Sequence, residues 1–364
     1  MSMGRFAFII HPLAPADVAR KYPLARYLPV GALEWVIRRM SPRMVSHITG
    51  IAGGDGAQAE GWFIALPLTP RQFFRLDPDF VISRIIQAGR VAQELGAHIV
   101  GLGAFTSVVG DAGVSVARGL DIAVTTGNSY TVATAVEGVL QAARVMGLAP
   151  ERSTAAVVGC TGSIGRVASQ LLAEVAPRLV LIGRDQARLC AVSDRISAQA
   201  EVQTSTDIER SLPAADIVVT VTSAVDTVIE PGFLKPGAVV CDVARPRDVS
   251  RRVSEQRPDV LVIEGGVVAV PGAVDFGFNF GFPPRTAYAC MAETMILALE
   301  RRYENFSLGR EIEVAKVKEI AQLAAKHGFK LAGFRSFERA VSEEQIARTR
   351  DLAQRARTRS GGAG

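Results

Sequence analysis

The sequence predicts an α/β protein of two domains, with a doubly wound parallel sheet in its C-terminal half and an α/β substrate domain before it. Three observations predict this. From residue 154 to about 266, apolar strands alternate with helical patterns: AAVVG, LVLIG, EVQTS, DIVVTVTS, AVVCDVA and VLVIEG. Alternation of that kind builds a parallel sheet covered by helices. Within it, VVGCTGSIG (157–165) joins a short β-branched strand to a glycine-punctuated turn, and RVASQLLAEVA follows with apolar residues at helical spacing. Finally, a chain of 364 residues, 48% apolar and 21% charged, is long enough and globular enough for two cores.

The elements follow in order. FAFII (6–10) reads as a first strand that enters a loop at His11 and Pro12. Helical patterns cover DVARKYPLARYL and GALEWVIRRM, followed by a strand at SHITGIAG, the glycine-rich hairpin GGDGAQAEG (53–61) and the strand WFIALPL (62–68). DFVISRIIQAGRVAQELG (79–96) keeps helical period until Gly96. AHIVGLGAFTSVV (97–109) is strand then loop, and the short strand DIAVTTG leads into a helix over 130–148. Pro150 and the charges of LAPERS (148–153) mark a domain boundary. The expected domains are therefore a substrate domain over 1–150 and a nucleotide domain over 151–283. Residues 284–330 supply two helices, 284–304 and 311–327, that pack back onto the first domain. Residues 331–364 form a basic, partly disordered tail, in which 348–359 carries five arginines and one aspartate.

Composition narrows the function classes. The net charge of +5 lacks the basic stripe interleaved with aromatics that nucleic-acid binding needs. Four cysteines, Cys160, Cys190, Cys241 and Cys290, show no CxxC spacing, so neither zinc nor a disulfide framework is indicated. FAFII is too short for a signal peptide or a membrane span, which makes the cytosol the expected location. A mean hydropathy of +0.22 leaves room for loose membrane association.

The glycine turn carries the cofactor chemistry. Gly159 permits the tight turn, Gly162 lets the backbone approach a pyrophosphate, and Gly165 lets the helix pack on its strand. The helix N-terminus then offers N–H groups and a positive dipole end to the phosphates. The pattern predicts a Rossmann-type dinucleotide site, against the alternative of a merely structural turn, with Thr161, Ser163 and Ile164 in the turn and Thr222 after a later strand completing the candidate cofactor set. After RLVLIGR (178–184), where an NAD site places an acid, the chain has Arg184, with Arg188 one helical turn on. Two guanidiniums suit a 2′-phosphate and favour NADP(H). Asp185 keeps NAD open, and a solvated helix start is the other account of the arginines.

Cys290 follows Pro283-Pro284 closely, which puts it near the start of the next helix. A helix N-terminus favours a thiolate able to attack a thioester carbonyl; on local sequence alone, a small, buried, inert residue is the simpler account. GAFTSVV (103–109) and TTGNSYT (125–131) each follow a strand end and concentrate hydroxyl and amide groups. Thr106, Ser107, Thr126, Asn128 and Thr131 are candidate donors to a carbonyl oxygen or its oxyanion, or else helix caps. Cys160 reads as a packing residue, and Cys190 and Cys241 as helix and strand core.

The succession GLGAFTSVV, TTGNSYT, VVGCTGSIG, EGGVVAVPG (264–272), YACMAETMILALE and AAKHGF resembles the long-chain acyl-carrier-protein reductases of cyanobacteria, over roughly residues 5–330. The resemblance implies NADPH-dependent reduction of a fatty acyl thioester to the fatty aldehyde, with acyl carrier protein or acyl-coenzyme A as donor and an aldehyde-consuming enzyme as a partner. The family's acylated cysteine lies in F-A-C-F-A-E-A-M; the matching YACMAETM (288–295) carries that role onto Cys290. His11 and Glu293 are then candidate general acids, though His11 also fits a strand end and Glu293 an exposed helix position. The apolar side chains of 23–40 suit either an acyl tunnel or core. The chain departs from the family at DVARPRDVS (242–250), before EGGVV, at FGFNFGFPP (276–284) and in the extension 331–364. Two rival readings remain. A shikimate- or quinate-type dehydrogenase needs a first-domain Lys–Asp pair, and Lys21 is the sole lysine before residue 235. A non-catalytic NADP(H) sensor would tolerate loss of Cys290.

Overall fold

The computed structural model describes residues 3–12, 27–224, 226–244, 246–279 and 282–361. The helical pattern expected over 17–28 and Lys21 fall mostly or wholly outside them. The chain forms two compact units: Met1–Asn128, Ala269–Glu311 and Gln322–Lys330 in one, and Ser129–Val268, Ile312–Ala321 and Leu331–Gly364 in the other. In chain order the first unit supplies β1 (Gly4–Ile10), α1 (Val30–Ile37), β2 (Arg43–Ala52), β3 (Gln58–Ala65), α2 (Pro70–Arg75), α3 (Pro78–Glu94), β4 (Ile99–Leu102), α4 (Val114–Arg118) and β5 (Ala123–Thr125). The second continues with α5 (Asn128–Val145), β6 (Thr154–Val158), α6 (Ser163–Ala173), β7 (Arg178–Ile182), α7 (Gln186–Ile196), β8 (Glu201–Ser205), α8 (Ile208–Ser211), β9 (Ile217–Thr220), β10 (Val239–Asp242), α9 (Arg251–Gln256), β11 (Leu261–Glu264) and β12 (Val267–Ala269). After these come β13 (Gly272–Asp275), β14 (Thr286–Tyr288), α10 (Ala289–Leu299), α11 (Val314–His327) and, last, α12 (Glu343–Gly361).

In the second unit six parallel strands run in the order β11-β10-β9-β6-β7-β8, the doubly wound arrangement the alternation predicts. β6 is buried at every residue, as a central parallel strand should be. The helix after β5 belongs here: Val132, Ala135, Val136, Val139, Ala142 and Ala143 pack with Ala155 and Val157 in one core. That packing moves the boundary from the expected 150 to 128/129, because the apolar face of α5 is buried in the nucleotide unit's core. The same core takes Val317 of α11, so residues 312–321 join this unit and only the end of that helix goes with the first. The expected basic tail forms a helix from Glu343 to Gly361, with Ala353 buried and Arg357 donating to the Gly237 carbonyl at 2.7 Å. Arg247, in the segment that departs from the family, bonds Glu264 at 2.8 Å and Glu338 at 3.0 Å, tying the C-terminal extension to the sheet edge.

In the first unit the sheet order is β13-β2-β3-β1-β4-β5, parallel through β3, β1, β4 and β5, with β2 and β13 antiparallel at the far edge. β1 alternates as a two-faced strand must. Ala7 and Ile9 join Val81, Ile85, Ala88 and Ala92 of α3 on one face. α3 starts on Asp77, whose carboxylate accepts the N–H groups of Asp79 and Phe80, each at 3.0 Å, and stops at Gly96 (φ +84°). Against the face of Phe6 and Phe8 lies α10, buried at every residue but Cys290. The sheet admits it through missing side chains: a Cβ at Gly4 would overlap the Ala298 carbonyl, and one at Gly101 would overlap Thr294 Oγ1 and the Phe8 ring. Among the described residues no helix is long and apolar enough to cross a membrane. Gly101→Ala is expected to destabilise the protein by about 1–3 kcal/mol through overpacking, read as a lower urea midpoint at unchanged slope.

Candidate active site

Cys290 stands in the first turn of α10, one residue after Ala289. The helix begins later than its prolines suggest, because residues 286–288 are extended as β14. No side chain caps this turn at Tyr288, and the positive end of the helix dipole lies at Cys290. Cys290 is half-buried and packs against Gly127, where a Cβ would overlap both its Cα and its Cβ. Gly127 has φ +74°, a conformation L side chains rarely adopt. One turn along, Glu293 is fully buried rather than exposed; it accepts hydrogen bonds from Thr125 Oγ1 and, at 2.8 Å, from Ser307 Oγ.

The predicted oxyanion donors separate. Thr106 and Ser107 are buried at the end of β4 with hydroxyls bonded inside their own loop, Thr106 to the Gly103 carbonyl at 2.8 Å and Ser107 to that of Ala104 at 2.7 Å. They shape the turn, in which Ala104 takes φ +48°. Thr126 donates to the Ser307 carbonyl at 2.5 Å. Asn128, the first residue of α5, follows the Gly127 contact directly and is half-buried; Thr131 lies a turn inside that helix. The His11 ring packs on Phe73 and Phe105 at centroid distances of 4.9 and 5.5 Å. Of the proposed acyl segment, residues 23–26 lie outside the described residues. Leu33 and Ile37 are buried, while Tyr27, Leu28, Val30, Trp35 and Val36 are exposed, so α1 is neither an enclosed tunnel nor core along its outer face. Sequence reasoning missed Thr125 and Ser307, which only the fold brings to Glu293.

In the second unit the glycine turn has the predicted form. Gly159 takes φ +82°, and a Cβ there would lie 2.6 Å from the Val221 carbonyl oxygen; at Gly165 one would overlap the Gly159 carbonyl. Gly162 precedes α6, and its missing Cβ would meet only the Gly159 oxygen, at 3.4 Å. Thr161, Ser163 and Ile164 are half-buried around it. This cradle fits a dinucleotide pyrophosphate. Thr222 borders Gly159 and is held by Asp248, which accepts its N–H at 2.8 Å, its Oγ1 at 2.5 Å and Thr220 Oγ1 at 2.6 Å. Asp248, fully buried, lies in the divergent 242–250 segment and was not anticipated. At the adenosine end, Asp185 is the N-cap of α7, accepting the Arg188 N–H at 3.1 Å. Arg188 donates to the Thr161 carbonyl at 2.9 Å, and Arg184 is exposed. A cleft of about 110 Å³ is lined by Thr161, Arg166, Arg188, Ala191, Val192 and Arg195. A larger cleft, about 500 Å³, sits at the N-terminal ends of β4 and β5 among Arg90, Gln93, Glu94, Arg118 and Asp121, away from the strand ends that carry the predicted loops.

Over 328 residues the chain is 30% identical to the long-chain acyl-[acyl-carrier-protein] reductase of Synechococcus elongatus, covering 86% of this chain and 94% of that one. The chain belongs to that reductase family. It is also 32% identical over 358 residues to the aminotransferase PigE of Serratia sp., covering 94% of this chain but 41% of that protein, so it spans about two fifths of that relative's length. A glutamyl-tRNA reductase of Natronomonas pharaonis matches over 100 residues at 33% identity, 27% of this chain and 22% of that one. The shikimate / quinate 5-dehydrogenase family model matches residues 141–264, within the nucleotide unit. The reductase relatives place the chain among the nicotinamide-dependent reductases and dehydrogenases.

The four cysteines differ in access. Burial pushes the Cys160 thiol up to about 12, against the opposing pull of backbone hydrogen bonds, so it stays protonated through the neutral range. Cys241 is buried in β10, and Cys190, expected as helix core, is exposed on α7. Iodoacetamide near neutral pH should therefore label Cys190 and Cys290 in the native protein and reach Cys160 and Cys241 after unfolding, as peptide masses would show.

Proposed function

We propose that this chain is an NADPH-dependent reductase that converts a long-chain acyl thioester to the fatty aldehyde through an acyl-enzyme on Cys290. The observation that carries the reading is Cys290 itself, the single residue of the buried α10 that is accessible, set in an uncapped first turn. Its thiolate, favoured by the helix dipole and N–H groups, attacks the substrate carbonyl. The positive end of the α10 dipole opposes the charge of the resulting oxyanion. Collapse breaks the bond to the carrier sulfur, which leaves as the thiolate of coenzyme A or acyl carrier protein and takes a proton from solvent, and the acyl group is now on Cys290. A nicotinamide dinucleotide held at the Gly159–Gly165 turn would supply the hydride that reduces this acyl group, and departure of the aldehyde would restore the Cys290 thiolate.

NADPH is favoured over NADH because Asp185 is engaged as a helix cap, while Arg184 and Arg188 follow β7 where the adenosine ribose is read. The Arg166–Arg188–Arg195 cleft adds two guanidiniums to that end. The charge-reversing partner of a basic chain is an acidic carrier protein, and the apolar outer face of α1 suits contact with acyl chains or a lipid surface.

Mixing the protein with palmitoyl-coenzyme A, or with the palmitoyl carrier protein, without NADPH should add one acyl mass to the wild type and none to Cys290→Ala. NADPH should then discharge it as hexadecanal. An unmodified wild type with both donors would sink the covalent mechanism. Replacing Arg184 and Arg188 together by alanine should weaken NADPH binding while leaving NADH binding nearly unchanged, measured by fluorescence titration; equal losses for both cofactors would remove the 2′-phosphate assignment.

A further inference from the structure

We infer that Glu293 is the positioning residue of the acylation site: its carboxylate oxygen holds the Thr125–Gly127 turn against the first turn of α10 and thereby sets where Cys290 stands. The inference rests on Cys290 being the acyl acceptor. Glu293 lies one helical turn beyond Cys290, fully buried. Its Oε1 accepts Thr125 Oγ1 from the end of β5 and Ser307 Oγ at 2.8 Å. Thr125 Oγ1 in turn accepts the Gly127 N–H at 3.2 Å. Gly127 then touches Cys290 with no side chain between them. A chain of bonds thus runs from the carboxylate through one hydroxyl to the backbone that packs on the nucleophile.

A second arm braces the first. Asn305 Oδ1 accepts the Val124 N–H at 2.9 Å, the Phe306 N–H bonds the Val124 carbonyl at 3.0 Å, and Thr126 Oγ1 donates to the Ser307 carbonyl at 2.5 Å. Residues 305–307 therefore lie beside β5 as an added edge, and Glu293 clamps both segments to the helix. Ser307 takes φ +55°, in the left-handed region, which a non-glycine residue holds where its surroundings over-determine it.

In these bonds Glu293 only accepts. A glutamine oxygen accepts equally well, whereas a proton-transfer role requires the carboxyl group. That contrast separates positioning from acid–base catalysis. The test measures the rate of palmitoyl transfer from palmitoyl-coenzyme A to Cys290 by intact mass, and the rate of iodoacetamide alkylation of the Cys290 peptide, which needs no substrate. Both are followed with the thermal midpoint in wild type, Glu293→Ala, Glu293→Gln, Thr125→Val and Thr125→Ser. Misplacing a nucleophile by about an ångström costs up to roughly 100-fold, so Glu293→Ala and Thr125→Val should slow acylation by about 10- to 100-fold. Glu293→Gln and Thr125→Ser should recover most of that loss. Glu293→Gln as slow as Glu293→Ala, with both folded, would identify a proton-transfer group and overturn positioning; so would wild-type rates in Glu293→Ala. Where Glu293→Ala does not fold, the Thr125 pair decides alone, since both retain the carboxylate. A wild type that takes no acyl group fails the functional reading, and the alkylation rates then still decide whether Glu293 positions the thiol.

Discussion

Burying α10 over its whole length is the constraint from which the reactive end of the first unit follows. A helix carrying Met291, Met295, Ile296, Leu297 and Leu299 is apolar on every side and stable only when enclosed. Their burial contributes on the order of 10 kcal/mol before ordering costs, enough to hold Glu293 and Thr294 inside as well. The close approach requires bare backbone on the sheet, and Gly4, Gly101 and Gly127 supply it at points along the helix where a methyl group would overlap helix atoms. Enclosure leaves one residue of the helix accessible, Cys290, at its N-terminal end. Its access is thus a consequence of packing.

The two hydroxyl-rich loops illustrate how similar sequences reach different ends. In GAFTS the hydroxyls of Thr106 and Ser107 find carbonyls three residues back, so the loop satisfies itself. In TTGN the threonines end an extended strand, where the carbonyl three residues back is out of reach, and Thr125 and Thr126 bond outward to Glu293 and to the 305–307 segment. A buried carboxylate without such donors would be costly, so the acid and the hydroxyls require each other.

How far this was legible depends on whether the deciding interactions are local. The strand–turn–helix at 154–173 could be read because each requirement lies within a few residues: a buried β-branched strand, a positive φ at Gly159, close packing at Gly165. The 129–145 helix was legible as a helix, but periodicity shows only that an apolar face exists, not which core receives it, and the domain boundary was displaced accordingly. The start of α10 was set too early because Pro283-Pro284 permits a helix without requiring one, and β14 intervenes. Glu293 was named as a candidate, yet its burial was hidden: a charged residue at helical spacing reads as solvent-facing, and its partners at Thr125 and Ser307 are joined to it only by the fold. The docking of the C-terminal helix was hidden because the one fully buried residue among its described ones, Ala353, is small.

At the adenosine end, a single capping bond decides how the acid and the arginine after β7 are used. An acid after β7 would ordinarily read the ribose hydroxyl. Asp185 stands one position late for that role, and α7 begins immediately after it, so its oxygen serves the Arg188 N–H instead. Capping in turn directs Arg188 along the helix face, where its guanidinium reaches the Thr161 carbonyl in the glycine turn and faces the cleft shared with Arg166 and Arg195. Guanidiniums brought to one small cleft offer an anion charge-assisted, bidentate hydrogen bonds. On the proposed reading a 2′-phosphate is that anion, and helix capping sets where Arg188 meets it.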